Sequence, residues 1–149
     1  MIKPCTAADI LSCPGLIEEY ASESSIQGMP HPAARLSTYQ RLERSGAFIC
    51  FGAYENNILV GFITVLLSVL PHYEVSAATV ESVFVSAAHR KSGHGARLIR
   101  QAEQHARKCK ASGLLICAPA GGKLTKVLAR AKSYRQTNHV FFKGFSDAD

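Results

Sequence analysis

One stretch, residues 79–110, constrains this chain more than any other, because three local signals follow one another in a fixed order. Residues 79–85, Thr-Val-Glu-Ser-Val-Phe-Val, are an apolar, β-branched run that predicts a strand. Arg90-Lys91-Ser92-Gly93-His94-Gly95 is a basic turn punctuated by glycine. Residues 96–110 then show the periodicity of an amphipathic helix. A strand feeding a glycine turn and a helix start is a place to hold a phosphate. The first helical amides have no partners of their own, the macrodipole adds partial positive charge, and glycine lets an anion approach the backbone closely. Arg90 and Lys91 add full charges.

Two common phosphate motifs do not fit. A dinucleotide fingerprint needs a third glycine three residues after Gly95, where Leu98 stands, and an acidic residue about 20 positions on, where residues 113–118 carry none. A Walker loop fails at Cys117-Ala-Pro-Ala-Gly-Gly-Lys-Leu124: Cys117 replaces the first glycine, and Leu124 occupies the place of the magnesium-binding Ser or Thr.

What fits is Arg/Gln-x-x-Gly-x-Gly/Ala, met by Arg90, Gly93 and Gly95, preceded by Val83-Phe84-Val85 and followed by Ala96, Leu98 and Ile99. On these residues the segment resembles the pyrophosphate loop of the GNAT N-acetyltransferase family, whose members bind acetyl-CoA. The alternative is a plain strand-loop-helix connection with a glycine cap.

Charge is unevenly spread. The net charge of +6 combines −4 over residues 1–89, +11 over residues 90–135 and −1 over residues 136–149. The cationic block begins at the glycine turn and suits a ligand with several phosphates. It would also attract a nucleic-acid backbone, but no aromatic interrupts it before Tyr134, and no helix-turn-helix or zinc-finger pattern is present. The 149 residues and 47% hydrophobic content suit one packed domain, residues 1–149. The longest apolar run, residues 58–70, is too short to span a bilayer, and residues 1–4 lack the apolar core of a signal peptide. Five cysteines without Cys-x-x-Cys spacing argue against a disulfide framework or a zinc site, and for a reducing cytoplasm.

Along the chain, residues 2–5 predict a short edge strand. Residues 7–22 predict helix interrupted around Cys13-Pro14-Gly15, and residues 33–45 a second helix stopped by Gly46. Residues 47–54 and 58–69 read as strands joined by the hairpin turn Glu55-Asn56-Asn57, and residues 77–85 as the next strand of an antiparallel meander. The following helix carries Leu98, Ile99, Ala102, Ala106 and Cys109 on one stripe. Residues 114–118 are continuously apolar, which predicts a central strand parallel to its predecessor. Residues 122–134 predict a helix with Leu124, Val127, Leu128 and Ala131 inward, and residues 137–145 a last strand. The order β-α-α-β-β-β-α-β-α-β belongs to the α/β (α+β) class and is itself similar to GNAT proteins. The resemblance implies a mixed, twisted sheet flanked by helices, with its fourth and fifth strands splayed to admit the cofactor. The chain ends after one closing strand, an edge that a homodimer would complete.

The resemblance implies acyl transfer from acetyl-CoA to a primary amine of a small molecule or peptide. It assigns Val83, Phe84 and Val85 to the strand whose backbone lies against pantetheine, with an amide there polarising the thioester carbonyl. It gives the pyrophosphate to the main-chain amides of Arg90, Lys91, Ser92, Gly93, His94, Gly95 and Ala96. Glu81, the one carboxylate of that strand, is the candidate general base, with a solvent-facing role or an arginine salt bridge as alternatives. Tyr134 is the phenol available to protonate the departing sulfur, although Tyr134-Arg135-Gln136-Thr137 equally matches the start of a last strand. The asparagine that relatives place at the start of that helix is replaced by Ala120, Gly121 and Gly122, so solvent is the alternative proton source. Cys117 reads as a small core residue. Acceptor sites of this family draw on the first helices, here with Glu18, Glu19, Glu23 and His31, and the negative N-terminal portion points to a cationic amine. Two other readings remain: a non-catalytic acyl-CoA-binding or sensor domain on the same fold, and a basic nucleic-acid-binding module.

Overall fold

The computed structural model describes residues 1–29 and 35–145. Their elements are β1 (Ile2–Cys5), α1 (Ala7–Leu11), α2 (Pro14–Ser24), α3 (Leu36–Arg44), β2 (Phe48–Glu55), β3 (Ile58–Leu70), β4 (Val75–Val85), α4 (His94–Lys108), β5 (Leu114–Ile116) and α5 (Lys123–Arg130), with a 3-10 turn at Ala87–Ser92 between β4 and α4. The five strands form one mixed sheet in sequential order. β1 to β4 are antiparallel, and β5 runs parallel to β4.

Local chemistry explains the boundaries. Thr6 caps α1 in a reciprocal box with Asp9, and Pro14 opens α2 where its missing N–H costs nothing. Asn56 and Asn57 take positive φ and close the β2–β3 hairpin. Gly93, at φ 77°, takes the left-handed conformation that starts α4 at His94, two residues earlier than the sequence pattern suggests.

The sheet separates two apolar layers. On one face, Leu98, Ala102 and Ala106 of α4 pack on Phe51, Ile63, Val65, Ala78 and Val80. On the other, Ala7, Ile10 and Leu16 of α1 and α2 pack on Phe48, Cys50, Phe62 and Phe84, with Tyr39 and Leu42 of α3 against them.

The C-terminal third departs from expectation. No strand forms over residues 137–145, where Val140 and Phe141 are 82% and 92% exposed. An apolar run becomes a strand only if a neighbour accepts its ladder bonds. β5 consequently sits at the sheet edge with Leu115 43% exposed, rather than covered on both faces. α5 ends at Arg130, so Tyr134 lies beyond it, and Val127 is exposed rather than inward. The expected start of the second helix at residues 33 and 34, and His31, lie outside the described residues. Among the described residues no helix is long and apolar enough to cross a membrane.

Candidate active site

The site begins at a defect in the sheet. β3 and β4 pair Thr64 with Ser82 and then Val65 with Val80, leaving Glu81 as an extra residue in β4. Such a bulge resets the alternation of side chains. Val80 faces α4, whereas Ser82 and Phe84 face the layer of α1 to α3. Glu81 joins Ser82 on that second face. Its Oε2 accepts hydrogen bonds from Thr64 Oγ1 and Ser82 Oγ, each at 2.7 Å. The Ser82 amide, displaced from the regular ladder, donates to Thr64 Oγ1 at 3.0 Å. Because Ser82 Oγ spends its proton on Glu81, the Tyr20 hydroxyl 2.9 Å away is the donor to Ser82. Tyr39 flanks the carboxylate, its phenol pushed up to about 12, by burial first and then by the negative charge of Glu81.

Glu81, Tyr39 and Phe48 form the wall shared by two cavities. The inner one is a small apolar chamber of about 60 Å³ under α1 and α2, floored by Phe62. The outer one is an open groove of about 390 Å³ bordered by Arg35, Thr38, Leu42 and Leu66. The groove gives a small molecule or chain end a route to the carboxylate.

The bulge also marks where β4 and β5 part. Their pairing stops at Val80 with Ile116, so beyond it Glu81 to Val85 have β3 on one side and no strand on the other. β5 itself ends at Ile116, and the open edge of β4 that it leaves runs along Val83, Phe84 and Val85. Phe84 and Val85 are buried and Val83 half-buried, so their side chains serve the core while the strand edge stays open. Cys117, just past β5, is exposed rather than a core residue.

At the far end of the gap the chain enters the 3-10 turn. Arg90 latches this turn down: Nε donates to the Val85 carbonyl at 2.8 Å, a terminal nitrogen pairs with Glu23 at 2.7 Å, and the guanidinium lies over Phe84. Glu19 accepts the Ala87 amide at 2.6 Å, which holds its carboxyl below the usual range. Glu19 and Glu23 thus hold the turn to α2. Lys91 and Ser92 are exposed.

No side chain caps α4, and its first intrahelical bond runs from the Arg97 amide to the Gly93 carbonyl at 3.2 Å. The amides of His94, Gly95 and Ala96 precede that bond. A Cβ built on Gly95 would meet nothing nearer than Val85 Cγ2 at 4.0 Å, and one on Gly93 would meet nothing within 4 Å. The protein itself leaves this space open in front of unpartnered amides, and a diphosphate fits the chemistry of that cradle. The His94 ring does not face it. It is 2% exposed, with Nε2 2.5 Å from Glu55 Oε1 and Nδ1 3.0 Å from Arg97. His89 Nδ1 reaches the other Glu55 oxygen at 2.9 Å.

The Tyr134 hydroxyl donates to Glu103 on α4, and burial together with that carboxylate pushes the phenol well above its usual range. α4 covers the sheet face opposite to the one that presents Glu81. The structure therefore brings together Glu81, residues 83–85 and the turn before α4, and ties Tyr134 elsewhere. Sequence reasoning missed Tyr20, Tyr39, Thr64 and Ser82 around Glu81, and Glu55 behind the loop. No local pattern marks a hydroxyl that becomes a partner only through tertiary packing.

The family model described as Acetyltransferase (GNAT) family matches residues 14–123. No curated protein matches the sequence. Solved structures share the fold at low identity. An aminoglycoside acetyltransferase from an uncultured soil metagenomic sample superposes with a TM-score of 0.73 at 17% identity, covering 98% of each chain. AAC(6')-Iy, solved with the bisubstrate analogue CoA-S-monomethyl-acetylneamine, gives 0.73 at 15% identity over 98% of this chain and 97% of its own. The ribosomal-protein-alanine N-acetyltransferase of Brucella melitensis biovar Abortus 2308 gives 0.65 at 23% identity over 95% and 99%.

Proposed function

The chain belongs to the acetyltransferase (GNAT) family, and from that premise we propose that it moves an acetyl group from acetyl-CoA to a primary amine of a small molecule or peptide by direct transfer. Residues 1–149 then act as one acyl-CoA N-acyltransferase domain. The observation that carries this reading is a coincidence of positions. The β4–β5 gap opens at Glu81 and ends at the glycine-lined start of α4.

Acetyl-CoA supplies an acetyl group already activated as a thioester. The remaining roles fall to this chain. Main-chain amides of the turn from Arg90 to Ala96 hold the diphosphate, with His94 contributing its backbone only. Arg90 acts by shaping the turn, and Lys91 adds charge at its rim. The open edge along Val83, Phe84 and Val85 lies against the pantetheine arm, and an amide there polarises the carbonyl. Glu81, oriented by Thr64 and Ser82, takes the proton of the acceptor ammonium directly or through one water. Holding both reactants at one gap supplies much of the rate. The departing sulfur takes its proton from solvent in this reading, because the Tyr134 hydroxyl is held by Glu103. The five free cysteines suit a reducing cytoplasm. Homodimerisation through the open edge of β5 belongs to the same reading and is checked by sedimentation.

Calorimetric titration of acetyl-CoA tests the reading. Binding that free CoA competes for, and that Gly95→Asp abolishes, supports it and leads to a panel of amine acceptors read by thiol release. Binding without turnover on any amine favours the acyl-CoA sensor. No binding at high protein concentration overturns both and turns attention to nucleic acid.

A further inference from the structure

We propose that Glu55, at the end of β2, is a positioning residue for the diphosphate-binding turn, acting through His94 and His89. The proposal rests on the acetyl-CoA reading above and adds a residue that the loop motif does not contain.

His94 lies between two glycines of the turn, yet it is among the most deeply buried side chains of the protein. A buried imidazole needs partners at both nitrogens, and both are present. Arg97 can only donate, so Nδ1 of His94 accepts from it at 3.0 Å. The ring proton is then on Nε2 and is donated to Glu55 Oε1 at 2.5 Å. The same Arg97 nitrogen donates to the Ser92 carbonyl at 2.9 Å. On the other side of Gly93, His89 Nδ1 donates to Glu55 Oε2 at 2.9 Å. One carboxylate on the β2–β3 hairpin therefore grips the turn both before and after its left-handed glycine. The chain from Glu55 through His94 and Arg97 to Ser92 closes a ring around the segment whose amides are free.

A glycine turn has little order of its own. If its amides are aimed before the anion arrives, less ordering is left to oppose binding. Charge works the other way: a carboxylate behind an anion site repels the anion. The geometric and coulombic effects of Glu55 on coenzyme A affinity thus have opposite signs, which makes the test decisive.

The variant is Glu55→Ala, which removes both grips at a half-buried side chain, with folding checked by thermal unfolding. Affinity is measured by calorimetry for coenzyme A and for pantetheine, which lacks the diphosphate. The proposal expects coenzyme A to bind about tenfold more weakly, as loss of a hydrogen bond to a charged group implies, with pantetheine unchanged. Unchanged or tighter coenzyme A binding overturns it, since only the charge would then have mattered. Equal weakening of both ligands also overturns it, as that marks general loss of structure. His89→Ala, which removes one grip at a half-exposed side chain, serves as the second variant and should weaken coenzyme A about threefold; no weakening there counts against the proposal. If the wild-type protein binds no coenzyme A, the acetyl-CoA reading itself falls and takes the proposal with it.

Discussion

Glu81 and Ser82 are consecutive in sequence yet present their side chains to the same face of β4, and the Ser82 hydroxyl donates to the Glu81 carboxylate at 2.7 Å. In an unbroken strand they would point to opposite faces. The bulge that brings them together sits immediately after the last β4–β5 pair, so one backbone irregularity both places the carboxylate and marks the mouth of the gap.

If Glu81 is the proton acceptor, Glu81→Gln should lower kcat by about 10²- to 10⁴-fold while the affinity for acetyl-CoA stays within about twofold. Gln retains the size of the side chain and can still accept from Thr64 and Ser82, so a loss of fold is not expected. Steady-state kinetics with calorimetry on the same preparation checks both halves.

Gly95 has room for a Cβ in the protein alone, with Val85 Cγ2 at 4.0 Å as its nearest neighbour. Gly95→Ala should therefore fold normally and gain slightly in helix stability, about 0.5–1 kcal/mol. It should bind acetyl-CoA within about threefold of wild type, because the motif accepts alanine at this place, whereas Gly95→Asp should abolish binding by setting a like charge before the anion. Affinity kept by alanine and lost with aspartate is the signature.

Tyr134→Phe removes a hydroxyl whose partner is Glu103. With the phenol held well above its usual range, proton delivery to sulfur is left to solvent. The expected kcat is within about twofold of wild type, against the 10²-fold or larger loss that removal of a general acid brings. The expected cost is to stability, about 0.5–1.5 kcal/mol for the lost hydrogen bond, read by chemical denaturation.

Glu19 carries a pH dependence with a defined sign. Its folded-state carboxyl is held below the ordinary value of 4.5, first by the Ala87 amide and then by Ser86. A depressed carboxyl stabilises the fold above its unfolded value, and the contribution is lost as pH falls through the folded value. Wild type should thus melt above Glu19→Gln near neutral pH, by up to about 3 °C for an exposed contact. The two curves should converge as pH drops below 4.5. A gap that does not narrow as pH falls below 4.5 would contradict this account.

Much of the fold was legible along the chain. The β2–β3 hairpin and its Asn56-Asn57 turn, the break before α2 at Pro14 and the buried stripe of Leu98, Ala102 and Ala106 all follow from near-neighbour chemistry. So does the order of strand, glycine turn and helix from β4 to α4. The last strand over residues 137–145 was misread for the same reason: alternation and apolarity express a preference, but a strand exists only when a neighbour supplies the ladder. With that strand absent, β5 became an edge and not the centre.

By itself, then, the sequence determined the local elements, because capping, turn propensity and helical period act over a few residues. Tertiary structure alone decided the rest. It placed the bulge at Glu81, because pairing with β3 sets the register. It brought Tyr20 to Ser82 from 62 positions away and Glu55 to His94 from 39. Contacts at that separation cost chain entropy that only the packed sheet and its two apolar layers offset.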